Sequence, residues 1–245
     1  MTEQTVTVPT PDGTAEGTLF IPDSRRRPGI LYFTDIVGIR PANLGMARRL
    51  AEQGYAVLVP NLFYRTSKLP VFDFPLNFGD ERTTKRIGEL SAPLTPEAME
   101  RDASAYVDFL AASDGVGPGP MGVVGFCFSG SMAMRAAAVR PDRIAAAASF
   151  HGGRLYTDQP TSPHRELQRI KARLYFGHAV DDKSMPAESI AKFEDALKAW
   201  GGHYQSETYE GALHGWTVPG GRVYNHVQAE RAFGKLTQLF AETLK

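Results

Sequence analysis

The chain of 245 residues contains only one cysteine, Cys127. A lone cysteine cannot form a disulfide within the chain, so the fold has to depend on a buried apolar core. The absence of disulfides also indicates a reducing compartment. The role of this single thiol is therefore the first question that the sequence raises.

The sequence also lacks net charge and long apolar runs. Lys and Arg total 27, as do Asp and Glu, which argues against broad binding to nucleic acid or to a membrane surface. No stretch approaches the ~18 apolar residues of a membrane helix. Met1 to Pro9 has neither the basic start nor the apolar run of a secretory signal. We therefore expect a cytoplasmic protein with a small-molecule partner, and no nucleic-acid or membrane partner.

Short β-rich apolar segments alternate with helix-like segments along the whole chain. This alternation favours an α/β fold with a mostly parallel sheet of about seven or eight strands, flanked by helices on both faces. We expect one domain over residues 1–245, opening with an antiparallel pair at Thr5–Val8 and Thr14–Ile21. The later strands are expected at Gly29–Thr34, Tyr55–Pro60, Met121–Phe126, Ile144–Phe150, Arg173–Phe176 and His203–Tyr209.

Helices are expected where apolar residues recur at helical spacing between start and stop signals. The predicted helices are Asn43–Gln53 closed by Gly54, Thr95 to about Ala112, Phe128–Arg140, Pro186–Trp200 with Ser184 as its cap, and Val227–Leu244. Residues 65–93 show no clear period and mix prolines, aromatics and charge. We predict that they form a partly helical excursion over the sheet, acting as a lid or pocket wall.

The most informative segment is Gly122 to Gly130 (GVVGFCFSG), in which a buried strand runs directly into a helix. A nucleophile at such a junction sits on a sharp, strained turn, so the residues two positions away on either side must be small. Gly125 and Ser129 satisfy this requirement around Cys127. The pattern resembles the nucleophile elbow of α/β-hydrolases, and the helix N-terminus favours the negative charge that develops there.

Two other interpretations of this segment stay open. Cys127 can be a buried structural thiol, as free cysteines often are. Alternatively, Ser129 is the nucleophile, because small residues also flank it at Cys127 and Ser131. The apolar strand ends at Phe126, however, which places Cys127 at the turn and Ser129 inside the helix.

An acid and a histidine are expected downstream, since α/β-hydrolases place their triad in the order nucleophile, acid, histidine. After the strand at Arg173–Phe176, Asp181 and Asp182 compete as the acid, and the spacing before Pro186 favours Asp182. His214 follows the last strand in a segment flanked by Gly211 and Gly215, where the base belongs. Of the other histidines, only His151 ends a strand at the same sheet edge, which suggests a pocket-lining or structural role.

An oxyanion hole requires two backbone N–H groups directed at one point. Phe128, which follows the nucleophile, is expected to supply one, and Ile36, in the loop after Gly29–Thr34, the other. Asp35 is unusual at the end of an apolar strand. It either caps a turn or contacts the thiol or His214.

Together these segments resemble the dienelactone hydrolase family. The matching pieces are Asp35 to Ile39 (DIVGI), Ala47 to Tyr55 (ARRLAEQGY), the cysteine elbow, the Asp182 loop, and Leu213 to Trp216 (LHGW). The resemblance implies an α/β-hydrolase fold and a Cys127–His214–Asp182 triad that hydrolyses enol-lactones of muconate type without a cofactor. The cysteine elbow is the most specific element, because most α/β-hydrolases carry serine there.

The chain departs from the family pattern at three points. The family has a glutamate after the third strand that interacts with the resting thiol, whereas this chain has Asp35. The last elbow position is usually glycine, and here it is Ser129. The family also holds the substrate carboxylate with arginines, one shortly after the catalytic histidine; here the nearest downstream arginine is Arg222, and Arg82 and Arg86 are alternatives.

The sequence therefore predicts an esterase or lactonase that works through a cysteine acyl-enzyme, with Asp35, Arg82, His151, Trp216 and Arg222 as candidate substrate-binding residues. No metal or cofactor is expected. The alternatives are a serine esterase that uses Ser129, and a non-catalytic small-molecule-binding protein on the same scaffold. The sequence leaves monomer and homodimer equally open.

Overall fold

The computed structural model describes residues 1–245, and eight strands of the chain form one sheet. The strands are β1 (Thr2–Thr10), β2 (Gly13–Ile21), β3 (Gly29–Phe33), β4 (Ala56–Pro60), β5 (Met121–Phe126), β6 (Ile144–Phe150), β7 (Arg173–His178) and β8 (Tyr204–Thr208). Their order across the sheet is β1-β2-β4-β3-β5-β6-β7-β8. β2 is antiparallel to both of its neighbours, and every pair from β4 to β8 is parallel. The predicted mostly parallel α/β sheet is confirmed.

Six α-helices and one short 3₁₀ helix cover the sheet. The α-helices are α1 (Pro41–Glu52), α2 (Glu81–Ser91), α3 (Pro96–Ala112), α4 (Ser129–Val139), α5 (Ala187–Trp200) and α6 (His226–Thr243), and the 3₁₀ helix is Pro163–Arg169. Alternate residues of β3 face opposite cores. Ile30 and Tyr32 pack in the core that contains α1 and α6, while Leu31 and Phe33 pack in the core that contains α3, α4 and α5. Helices thus lie on both faces, as predicted.

Most predicted element ends agree with the structure to within two residues. The cap of α3 is as expected, since the Ala98 N–H donates to the Thr95 hydroxyl at 3.2 Å. Helix α1 is closed by Gly54 in the left-handed region, at a φ of 92°. The predicted capping of α5 by Ser184 is wrong. The helix starts at Ala187 without a side-chain cap, because Asp182 accepts the Ser184 hydroxyl proton at 2.6 Å.

The excursion at residues 65–93 is partly helical, as predicted, because it contains α2. Arg86 stabilises this excursion from within, because it donates hydrogen bonds to the Val71 carbonyl at 3.0 Å and to the Ser67 hydroxyl at 2.8 Å. Val71 is buried and packs against the loop after β3, where a Cβ on Gly38 would lie 2.8 Å from the Val71 side chain. The excursion therefore lies against the loop that carries Asp35 and Ile36.

The carboxyl ends of parallel strands meet at the same edge of a sheet, and in open α/β sheets this is where ligands bind. The four non-glycine residues with positive φ all follow β5, β6 and β7 at this edge: Cys127, His151, Arg154 and Asp181. No helix of the chain is both long and apolar enough to cross a membrane.

Candidate active site

Cys127 occupies the turn between β5 and α4, and its backbone is in the left-handed region with a φ of 61°. The turn is tight enough that a Cβ at Gly125 would lie 2.1 Å from the Ser129 carbonyl oxygen. Position 125 therefore has to be glycine, for the steric reason that the sequence suggested. The Cys127 side chain is partly exposed, which leaves the thiol open to a small molecule.

Ser129, the alternative nucleophile, is fully buried in the first turn of α4. Its hydroxyl accepts from the Phe126 N–H at 2.9 Å and lies 3.0 Å from the Phe33 carbonyl and 2.9 Å from the Phe126 carbonyl. The serine thus links the ends of β3 and β5. A serine therefore fits at position 129, where the family usually has glycine, because its small hydroxyl forms hydrogen bonds with the ends of both strands.

His214 and Asp182 lie together at the same edge. The Nδ1 atom of His214 is 2.6 Å from the Asp182 carboxylate, whose other oxygen accepts from the Ser184 N–H at 2.8 Å and from the Ser184 hydroxyl. The Asp182 side chain is 4% exposed. Asp181, in contrast, is exposed and contacts no histidine. The structure therefore brings Asp182, and not Asp181, to the imidazole.

The electrostatics of this pair favour a protonated imidazole. Burial alone would lower the pKa of His214, but hydrogen bonds to Asp182 and to Cys127 outweigh it and raise the pKa to about 10. Burial would raise the pKa of Asp182, but its hydrogen bonds to His214 and Ser184 lower it below the usual value. The imidazole is therefore hydrogen-bonded to the Asp182 carboxylate, and the nearby Cys127 thiol adds to its raised pKa.

The two expected oxyanion donors are unoccupied. Neither the Phe128 N–H nor the Ile36 N–H donates a hydrogen bond to another group of the chain. A network around Asp35 shapes the loop that carries Ile36. The Asp35 carboxylate accepts from the Val37 N–H at 3.0 Å and binds both terminal nitrogens of Arg40, at 2.6 and 2.7 Å. The carboxylate is thus committed to its own loop rather than to the thiol or His214.

His151 and Trp216 lie beside His214 but are buried. The His151 ring stands edge-on to the rings of His214 and Trp216, with both centroid distances 5.1 Å. Each side chain is at most 1% exposed. Burial lowers the pKa of His151 well below its usual value, and the nearby His214 charge adds to this effect.

The model of the dienelactone hydrolase family matches residues 15–244, which is nearly the whole chain. The chain belongs to this family. Membership makes it a hydrolase that acts on esters or lactones, as the sequence predicted.

Individual relatives of this chain are distant in sequence. It is 27% identical over 186 residues to the carboxymethylenebutenolidase of Rhodococcus opacus, covering 76% of this chain and 68% of that one. It is 27% identical over 244 residues to a hydrolase of Talaromyces stipitatus, covering 93% and 86%. The structure of the dienelactone hydrolase from Anabaena variabilis superposes with a TM-score of 0.70 at 20% identity, covering 100% and 99%, which supports the fold.

The arginines singled out in the sequence do not lie beside the Asp182–His214 pair. Arg82 stacks on Phe74 at 3.8 Å and pairs loosely with Asp73 at 3.7 Å. Arg86 donates to the Val71 carbonyl within residues 65–93, and Arg222 is exposed without a carboxylate partner.

Three further residues of this edge were not predicted. Arg154, which has a φ of 54° and no carboxylate partner, lines a cavity of about 350 Å³ together with Phe128 and Gly153. Ser184 binds the Asp182 carboxylate, and Thr217 binds His151. The only sequence signal for Arg154 was its place directly after the Gly152-Gly153 pair that follows β6.

No set of three or more His, Cys, Asp or Glu side chains is arranged to hold a metal ion.

Proposed function

We propose that this protein hydrolyses a carboxylic ester or lactone through a thioester formed on Cys127. The observation that supports this most is the single thiol at a strained turn, near an imidazole whose Nδ1 atom lies 2.6 Å from the Asp182 carboxylate. Strained backbone at a reactive side chain is typical of sites where the geometry serves a reaction. A nucleophile, a base and an orienting carboxylate in contact form the minimal unit of acyl transfer.

The first step forms the thioester. His214 holds the proton of the thiol as an imidazolium, in agreement with its raised pKa, and the Cys127 sulfur attacks the ester carbonyl carbon. The carbonyl oxygen becomes an oxyanion, which the free N–H groups of Phe128 and Ile36 bind. When the tetrahedral intermediate collapses, the carbon–oxygen bond to the leaving alkoxide breaks, and the alkoxide receives the proton from His214.

The second step releases the acid. His214 takes a proton from a water molecule, whose oxygen attacks the thioester carbon. The carbon–sulfur bond breaks, and the sulfur again shares the proton that His214 took from water, which restores the resting site. Asp182 stabilises the imidazolium in both steps, consistent with the raised pKa of His214.

Within the ester and lactone class, we propose a small substrate such as an enol-lactone of the dienelactone type. The carboxymethylenebutenolidase name of the Rhodococcus opacus relative supports this choice. Contact of the substrate with Arg82 or Arg222 remains a prediction. For Asp35, His151 and Trp216, burial and their contacts with protein groups favour a supporting role over direct contact with the substrate.

The alternative nucleophile, Ser129, is disfavoured by its burial and by the three backbone groups around its hydroxyl. Attack from this oxygen would require the first turn of α4 to unwind. A non-catalytic binding protein would have no need of the paired Asp182 and His214 near a partly exposed thiol.

The test compares Cys127→Ala with Ser129→Ala on a p-nitrophenyl acyl ester and on a dienelactone. We expect Cys127→Ala to reduce kcat by about 10³-fold or more, because the nucleophile is removed. Ser129→Ala should retain turnover per folded molecule, although it is less stable because buried backbone groups lose their partner. Circular dichroism gives the folded fraction of each variant.

Alkylation of the wild-type chain is the matched chemical control. Iodoacetamide can react with only one cysteine, so it should abolish turnover in step with the loss of free thiol. If alkylated protein and Cys127→Ala keep their activity while Ser129→Ala loses it, the nucleophile is Ser129. Absence of turnover with every ester and lactone would contradict the proposed hydrolysis.

A further inference from the structure

His151 has an unusual backbone conformation and lies beside the candidate triad. Its φ of 41° places it in the left-handed region, which a residue with a side chain adopts only when its surroundings compensate for the strain. It follows β6, the strand between those that lead to Cys127 and Asp182. Strain at two facing residues, Cys127 and His151, suggests that the contact between them is maintained for a purpose.

Both ring nitrogens of His151 contact loops of the site. Nδ1 lies 3.1 Å from the backbone nitrogen of Cys127, whose N–H is shared with the Phe150 carbonyl oxygen at 3.1 Å. Nε2 lies 2.9 Å from the Thr217 hydroxyl. Thr217 follows His214 by three residues, so a single imidazole spans the nucleophile loop and the histidine loop.

These partners determine where the ring carries its proton. A backbone N–H can only donate, so Nδ1 has to be the bare, accepting nitrogen. The proton is then on Nε2, which donates to the Thr217 oxygen. A charged ring would place a second proton between Nδ1 and the Cys127 N–H, where two donors would oppose each other. The depressed pKa of His151 agrees with a neutral ring.

The ring does not compete for the hydrogen bonds of the candidate triad. It meets His214 edge-on at a centroid distance of 5.1 Å, and it is packed on its other side by Trp216 at the same distance. His214 is therefore restrained sterically while its own nitrogens remain available to Asp182 and Cys127.

We propose that His151 is a positioning residue: as a neutral Nε2–H tautomer anchored on Thr217, it fixes the Cys127 turn relative to the His214 loop. This inference rests on the proposed function, because it assigns the geometry of the same nucleophile and base. Its consequence is kinetic, since a misplacement of about 1 Å between reacting groups can cost about 100-fold in rate. The ring itself touches neither the substrate nor the reacting atoms.

The test removes the Thr217 hydroxyl that binds His151 while keeping the size of the side chain at position 217. Thr217→Val keeps the volume but loses the acceptor, and Thr217→Ser restores the hydroxyl. We expect Thr217→Val to lower kcat by about 10- to 100-fold with KM changed by less than about threefold, and Thr217→Ser to recover most of the loss. Thr237→Val on α6, where the hydroxyl meets only its own helix, is the matched remote control.

A second variant examines the other end of the ring. His151→Asn retains an acceptor at the position of Nδ1, and asparagine tolerates positive φ, but it cannot reach Thr217. It should therefore show a loss of kcat similar to that of Thr217→Val. Circular dichroism gives the folded fraction of each variant, so that a fall in stability is not mistaken for a fall in kcat.

A spectroscopic readout is independent of catalysis. Proton–nitrogen NMR of the imidazoles should show His151 as the Nε2–H tautomer from pH 6 to pH 8, and the Nε2 proton should exchange faster with water in Thr217→Val. An Nδ1–H tautomer or a charged ring would overturn the inference. So would kcat values of Thr217→Val and Thr217→Ser that both equal the wild-type value while Cys127 is essential. Full activity of Cys127→Ala would instead overturn the proposed function and leave the tautomer result standing.

Discussion

At the scale of single residues, the site depends on the Asp182 carboxylate, both oxygens of which are hydrogen-bonded. One oxygen holds His214 at 2.6 Å, and the other accepts two hydrogen bonds from Ser184. Hydrogen bonds to ionised groups are among the stronger ones in proteins. The carboxylate is therefore fixed in orientation, and it fixes the ring in the tautomer that leaves Nε2 for the thiol.

Replacing Asp182 with Asn tests this assignment. We expect the pKa of His214 to fall from about 10 toward the ordinary value, because the hydrogen bond to a charged acceptor is lost. The kcat should fall by about 10³-fold or more, since the amide favours the wrong tautomer. NMR titration of the imidazole protons measures the first effect, and ester hydrolysis measures the second.

Asp181→Asn is the matched control for that experiment, because Asp181 is exposed and asparagine tolerates its φ of 51°. It should leave both the pKa of His214 and kcat unchanged. If Asp181→Asn gives the larger effect, the assignment of Asp182 is wrong.

The same pKa shift predicts how stability depends on pH. Because the pKa of His214 is about 10 in the folded chain and about 6.5 when unfolded, the bound proton stabilises the fold fully below about pH 6.5. This contribution is lost as the pH rises through about 10. The stability advantage of wild type over Asp182→Asn should therefore shrink between pH 6 and pH 10, as measured by thermal unfolding of both chains. A constant difference would contradict the raised pKa.

At the scale of structural elements, the loop after β3 is held by its own ion pair. Asp35 is buried and binds Arg40 through two hydrogen bonds, and it also accepts the Val37 N–H. These contacts fold the backbone so that the Ile36 N–H remains free. The family's glutamate engages the resting thiol; the shorter Asp35 instead stabilises a loop, so masking of the thiol by this residue is not expected here.

Arg40→Gln should loosen this loop and displace the Ile36 N–H. We expect kcat to fall by about 10- to 100-fold, somewhat less than the loss of an entire oxyanion donor, with little change in KM. The free energy of unfolding should fall by about 1–3 kcal/mol, the usual contribution of hydrogen bonds to charged groups. Steady-state kinetics and denaturant unfolding measure the two effects.

Arg48→Gln serves as the comparison, because Arg48 pairs with Glu3 on the surface and lies outside the site. An exposed pair contributes at most about 1 kcal/mol, and kcat should not change. Equal kinetics for Arg40→Gln and wild type would show that the ion pair does not position the oxyanion donor.

At the scale of the whole molecule, much of the fold could be predicted from the sequence. The period of the apolar residues and the capping signals placed β5, β6 and α3 almost to the residue, because these elements are short, buried and sharply bounded. The order of the strands across the sheet was not predicted, because the apolar pattern of a strand does not specify which strands lie beside it.

The contacts of the candidate site were less accessible from the sequence. The sequence predicted that Cys127, Asp182 and His214 lie at one edge of the sheet. It could not show that Ser184 binds Asp182 or that Arg40 binds Asp35. It also gave no hint that His151 spans two loops, because the residues involved lie 24 and 66 positions apart in the chain. Such contacts depend on backbone conformations, such as the positive φ of His151 and Arg154, that local patterns do not specify.

The most direct test of the central claim is to locate the acyl group on the protein. The wild-type chain is mixed with a p-nitrophenyl acyl ester, quenched rapidly with acid before the thioester is hydrolysed, and analysed by intact-mass and peptide-fragmentation mass spectrometry. We expect a mass increase of one acyl group that maps to Cys127, is removed by hydroxylamine and is absent from Cys127→Ala. An acyl group on Ser129, or wild-type hydrolysis with no adduct in any variant, would contradict a cysteine acyl-enzyme.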